Sequence, residues 1–233
     1  MRTLRAILFD IDDTLCATTA FAKRARNAAV HAMVEAGLAV PEETVVAELA
    51  EVLAEFGSNY DHHYDKLVQR LFPAGLGNVN PALVVAAGVA AYHDTKFKEL
   101  RPFDDVLPLF EELRTAGIRI GIITHGLTVK QAEKLVRLGV VPYLDPDAIF
   151  ISEQIGISKP NPKLYQCALS RLKLKPNETM YVGDNPVNDI APPKELGMIT
   201  VWAKRAAKRE LTEFDATPDY IIENFDELRA LVE

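Results

Sequence analysis

Apolar residues along the chain fall into two patterns. Short, nearly continuous runs rich in Ile and Val occur at residues 5–9, 118–124, 148–151, 179–183 and 199–202. A strand covered on both faces needs apolar side chains on both, so such runs predict interior strands of a parallel sheet. Between them, apolar positions three to four apart predict helices at 104–116, 128–138 and 161–172, and another around 194–196. Gly117, Gly139 and Gly197 stand where three of these helices should end. Residues 220–222 and 226–232 read as a last strand and helix returning to the same sheet. The alternation predicts an α/β fold: a three-layer, doubly wound, mainly parallel sheet.

Residues 16–97 break that rhythm. They carry amphipathic helical patterns at 18–36, 42–56, 61–71 and 81–95 and no strand pattern, with punctuation at Gly37, Pro41, Gly57 and Pro73-Ala74-Gly75. The expected organisation is an α/β core of residues 1–15 and 98–233 interrupted by a smaller helical module of residues 16–97. The longest apolar run, 81–91, reads as a buried helix.

Composition narrows the class without changing the fold. Of 233 residues, 48% are hydrophobic and 25% charged, the balance of a folded globular chain. A net charge of −7 gives no general attraction for nucleic acid, which needs basic surface to neutralise phosphates; the basic cluster at 204–209 reads as a solvated loop. Cys16 and Cys167 are too few for a disulfide framework and read as reduced core thiols. The apolar run ended by Asp10 is too short for a signal peptide, and no stretch reaches the ~20 apolar residues of a membrane span. A cytoplasmic protein with no membrane partner is expected.

The chemistry gathers at strand ends, where open parallel sheets bind their ligands. The first strand runs into Asp10-Ile11-Asp12-Asp13-Thr14 and the second into Thr124-His125-Gly126. The third is followed by Ser158-Lys159-Pro160, and the fourth runs into Gly183-Asp184 with Asp189 beyond. Several carboxylates at one edge suit a hard cation such as Mg²⁺, which protein acids commonly share with a substrate phosphate. Lys159 adds positive charge, Asp10 is placed to attack phosphorus, and Asp12 to manage the proton. Each feature alone has a plainer reading. An Asp-rich turn can be a polar loop, a lysine before proline a surface residue, and Asp184 or Asp189 a helix cap.

Together and in this order, the four motifs resemble those of the haloacid dehalogenase superfamily, whose first motif is D-x-D-x-T. The helical insertion between the first two motifs resembles the C1-capped phosphatases of that superfamily. The resemblance implies that Asp10 is the nucleophile and Asp12 the general acid/base. Mg²⁺ would be held by Asp10, the backbone carbonyl of Asp12, and Asp184. Thr124 and Lys159 would grip phosphate oxygens, Gly126 and His125 would border the substrate, and Asp189 would support the lysine or a metal-bound water. Asp13 reads as the structural member of the acidic trio.

The substrate implied is a small phosphorylated metabolite. The whole pattern resembles archaeal phosphatases of this superfamily that act on triose phosphates such as glyceraldehyde 3-phosphate; phosphoglycolate, sugar phosphates and nucleoside monophosphates fit the same motifs. In the helical insertion, Asn59, Tyr60 and His63 are the expected substrate contacts. Two departures from the family stand out: His125, where relatives carry Asn or Asp, and Pro192-Pro193, which should delay or distort the helix after Asp189. Dehalogenation is disfavoured because Asp12 has no task when the leaving group is a halide. A phosphomutase and a non-catalytic binding or regulatory protein remain the alternatives.

Overall fold

The structure is a computed structural model that describes residues 4–75 and 79–232; Met1–Thr3 of the leader reading lie outside it. In chain order the elements are β1 (Ala6–Phe9), α1 (Thr18–Glu35), α2 (Glu42–Phe56), α3 (His63–Gly75), α4 (Pro81–Glu99) and α5 (Val106–Thr115). There follow β2 (Arg119–Thr124), α6 (Thr128–Arg137), β3 (Ile149–Ile151), α7 (Ser152–Ile155) and α8 (Pro162–Leu172). β4 (Thr179–Gly183), α9 (Ala191–Glu195), β5 (Ile199–Ala203), β6 (Tyr220–Ile222) and α10 (Phe225–Val232) complete the chain.

Among the described residues the strands form one sheet of six, ordered β3-β2-β1-β4-β5-β6, with every pairing parallel. Parallel neighbours need crossovers; helices supply all of them except the one between β5 and β6, where residues 204–219 form turns, and β1 and β4 are buried along their whole length. Leu8, Ile123, Phe150, Leu164, Tyr165 and Tyr181 belong to one core cluster on the α8 side. Gly121 belongs to this packing: a Cβ there would lie 2.6 Å from both Ala148 and Leu8.

β1 pairs with β2 on one side and β4 on the other, so the winding direction reverses at β1. Such a switch point opens a crevice beyond the strand ends, where ligands bind. Phe9 is level with Ile122 and Val182, and the Asp10 N–H donates to the Val182 carbonyl at 2.9 Å. Thr124 and Asp184 each lie two residues past those partners. The register alone therefore brings the ends of three strands to one place.

The described chain divides into two compact units, residues 1–18 with 101–233 and residues 19–100. The second unit is helical, with a core of its own that includes Val30, Met33, Leu49, Leu67 and Val84. Within it, Gly88 of α4 faces Met33, whose Sδ would be 2.8 Å from an added Cβ.

Three expectations are corrected. α4 is not a buried helix: only Val84 and Gly88 are buried and Leu83 is 64% exposed. The run is apolar all round, but a helix meets its neighbours along one stripe, here positions four apart. α3 starts at His63 rather than 61 and continues through Pro73 to Gly75. Cys167 is half-buried rather than a core thiol, whereas Cys16 is buried and burial pushes its thiol up to about 12. The proline pair behaves as its chemistry requires. The segment Pro186–Ile190 forms a π-helical turn, and Pro192 and Pro193 fall in the first turn of the short α9, where a missing N–H costs little.

Candidate active site

At the centre is Lys159, delivered by the loop after α7. Its Nζ donates to Asp10 Oδ1 at 2.8 Å, to Asp189 Oδ1 at 2.7 Å and to the Tyr181 hydroxyl at 2.6 Å. Its side chain is 3% exposed and Asp189's 1%. Burial alone would lower the lysine's pKa, but the charges of Asp10 and Asp189 outweigh it and raise the pKa above its ordinary value. The ammonium is a fixed positive charge at every working pH. Tyr181 in turn donates to the Ile123 carbonyl at 2.8 Å, tying the lysine to β2 and β4 together.

Asp10, Asp184 and Asp189 each offer a carboxylate oxygen within 4.8 Å of the others. One lysine cannot balance three such charges. Burial, with the neighbouring carboxylates adding to it, lifts Asp10 to about 7 and Asp184 to about 8. Like charges taken out of water behave this way until a cation relieves them. An all-oxygen, excess-negative donor set fits a hard divalent ion, so the residues present suit the metal that the family motifs imply. The carboxylates are not equally available. Asp189 Oδ1 is committed to Lys159, and its Oδ2 accepts the Asn185 N–H at 3.0 Å. Gly183 makes this possible, because a Cβ there would sit 2.4 Å from Asp189 Cβ and Cγ. Asp184 is held through its backbone, its carbonyl accepting the Trp202 Nε1–H at 2.7 Å. A pocket of about 270 Å³ lined by Asp184, Asn185, Pro186, Lys208 and Arg209 opens beside it.

Asp12 has a different environment. Its Oδ1 accepts from Thr18 Oγ1 at 2.7 Å and Lys134 Nζ at 2.5 Å, and its Oδ2 from Gln131 Nε2 at 3.2 Å. Burial pushes its pKa up, but the charge and hydrogen bond of Lys134, helped by Thr18 and Gln131, prevail and hold it below the usual value. Asp13 has left-handed backbone, φ 57°, and its buried carboxylate lies 3.4 Å from Lys208. The basic loop at 204–209 is therefore not wholly a solvated face.

Thr124 is buried at the end of β2, its hydroxyl 3.4 Å from Gln131 Oε1. His125 is exposed, and its Nδ1 is 2.5 Å from Ser158 Oγ, beside Lys159. The Gly126 N–H donates to Ser152 Oγ at 2.9 Å and is thus committed within the protein. Asn59, Tyr60 and His63 lie in the helical unit. There Tyr60 stacks on Phe56 with ring centroids 4.8 Å apart, and His63 Nε2 is 2.8 Å from the Gly57 carbonyl. Gln131, Lys134 and Tyr181 escaped the sequence reading. The only signals were a glutamine on the apolar stripe of α6, a lysine one turn later, and a hydroxyl inside the apolar run of β4.

The family model for haloacid dehalogenase-like hydrolases matches residues 4–197. The chain belongs to that family. It is 42% identical to a glyceraldehyde 3-phosphate phosphatase of Methanopyrus kandleri, over 98% of this chain and 97% of that one. It is 40% identical to the protein of the same name from Methanocaldococcus jannaschii, with the same coverage. Among solved structures, a HAD phosphatase from Thermococcus onnurineus superposes with a TM-score of 0.67 over 98% of each chain. At 23% identity that likeness speaks for the fold alone. With phosphatases as its relatives over nearly its whole length, this member of the family is a phosphoric monoester hydrolase. Among the described residues, no helix is long and apolar enough to cross a membrane.

Proposed function

We propose that this hydrolase is a Mg²⁺-dependent phosphatase that takes phosphate from a small metabolite onto Asp10, with glyceraldehyde 3-phosphate the foremost candidate substrate. The observation that carries the reading is the buried Lys159 ammonium bonded to Asp10 and facing two further carboxylates. A lysine so placed orients the nucleophile and offers positive charge to an incoming phosphate.

Asp10, the Asp12 carbonyl and Asp184 would hold Mg²⁺, which when bound offsets the negative charge of carboxylates and phosphate. Asp12, a carboxylate in the free enzyme, takes up one proton with the substrate phosphate. Asp10 Oδ attacks phosphorus, the ester P–O bond breaks, and the departing oxygen takes that proton from the Asp12 carboxyl. Water then attacks the aspartyl-phosphate and gives a proton to the Asp12 carboxylate; cleavage of the P–O bond to Asp10, with loss of that proton alongside the phosphate, restores the enzyme. Thr124 and Lys159 hold phosphate oxygens, while Asp189 keeps Lys159 charged and in place. Asn59, Tyr60 and His63 select the organic part, and His125 stands beside the phosphate-binding loop.

The substrate names of the relatives support the triose phosphate, and the motifs support the chemistry. A phosphate-release screen with glyceraldehyde 3-phosphate, phosphoglycolate, sugar phosphates and nucleoside monophosphates tests both. The triose phosphate should give the highest kcat/KM, and chelation should abolish release. Absence of release from every phosphoester by folded, Mg²⁺-loaded protein would reject the reading. His63→Ala should reorder the substrates while sparing p-nitrophenyl phosphate; an unchanged order after Asn59, Tyr60 and His63 substitutions would remove the assignment of those side chains.

A further inference from the structure

Asp12 stands apart from the cluster around Lys159, yet its carboxylate is as fully engaged as any in the site. Two of its donors, Gln131 and Lys134, come from α6. They are three residues apart and therefore share one face of the helix. Gln131 is 5% exposed, and its Nε2 also donates to the His125 carbonyl at 2.9 Å. The loop before α6 is shaped around it: Gly126 has φ 137°, and a Cβ there would lie 2.7 Å from Gln131 Nε2. Lys134 and Asp12 are 17% and 29% exposed at their side chains, so their contact is more enclosed than the surface ion pairs that contribute little. A buried glutamine and a half-buried lysine converging on one carboxylate are costly to arrange for packing alone.

We propose that Lys134, supported by Gln131, is a positioning residue that fixes the direction of the Asp12 carboxylate for proton transfer to and from the reacting oxygen. The inference rests on the reading of Asp12 as the acid/base. It makes α6 the link between the end of β1 and the end of β2.

A misplacement of about 1 Å in a catalytic group can cost 10²-fold, and general acid help is worth roughly 10²–10⁴-fold. Lys134→Met should therefore lower kcat for alkyl phosphates by roughly 10- to 100-fold with little change in KM. Release of p-nitrophenol in a single turnover should fall far less, because that leaving group needs little protonation. Lys134→Arg, which keeps a cation, should recover most of the loss. The double variant Asp12→Asn/Lys134→Met should be no worse than Asp12→Asn, as for two residues acting through one step. A thermal transition on each variant checks folding, and Lys134→Gln gives the same readout should the methionine variant unfold. Loss of equal size for all leaving groups, or a loss that adds fully to that of Asp12→Asn, would overturn the role of Lys134 alone. If Asp12→Asn itself shows no dependence on the leaving group, the acid/base assignment falls and the inference with it.

Discussion

Asp10 and Asp12 leave the same strand two residues apart, yet their surroundings make them chemically unlike. Asp10 faces a buried lysine and two more carboxylates, while Asp12 faces Lys134, Thr18 and Gln131. Asp10→Asn should abolish turnover, since an amide of the same shape is a poor nucleophile. Asp12→Asn should stop alkyl phosphate turnover but still release p-nitrophenol once per enzyme, leaving phosphate on the protein, which mass spectrometry would detect. Ordinary turnover by Asp10→Asn would defeat the assignment. The charges also set a pH response. Without divalent cations, Asp10 at about 7 and Asp184 at about 8 keep protons that the unfolded chain, at 3.8, has already given up. The folded state then binds more protons between about pH 4 and 8, so stability should fall as pH rises through that window. Mg²⁺ binds the deprotonated acids, so its effect on the melting temperature should be larger at pH 8 than at pH 6. A metal-free melting temperature that climbs over this range would contradict the argument. Asp10 and Asp184 were legible because each follows a strand directly, and Asp12, Lys159 and Asp189 because they fall in motif order beyond the strand ends. Lys134 and Tyr181 were not, because only folding brings α6 to Asp12, or places a mid-strand hydroxyl under Lys159.

At the scale of elements, the end of β4 shows how little room the site leaves. Gly183 touches the side chain of Asp189, and Asp189 holds Lys159. Gly183→Ala should destabilise the protein by about 1–3 kcal/mol, as overpacking does, and should also displace Asp189 and lower kcat. Chemical denaturation and steady-state kinetics on one preparation would check both. An alanine variant with full activity would mean that Asp189 does not govern the lysine. Strand positions were readable to within a residue or so, because the strands are short, largely apolar runs bounded by polar or small residues. Helix exposure was less readable. The run in α4 has the composition of a core helix, but its alanines and valines are spread around the axis and nothing in the sequence says which side is covered. The start of α9 was anticipated because proline chemistry is local; the extent of α3 was not, since Pro73 did not stop the helix.

For the whole molecule, the most consequential feature is the place of β1. It precedes both of its partners in the chain and lies inside the sheet, and Ala6 pairs with Arg119 and Thr179, each more than a hundred positions later. The helical unit of residues 19–100 has a core built from its own segments. Closing long loops is entropically costly and slow, whereas local helical contacts form early. In pulsed hydrogen exchange during refolding, amides of α2 should gain protection before those of β1; the reverse order would show that sheet pairing leads. On a ribosome the same geometry leaves β1 waiting for its two partners until Arg119–Thr124 and Thr179–Gly183 have been made, and Asp10 meets Asp184 and Asp189 only after that.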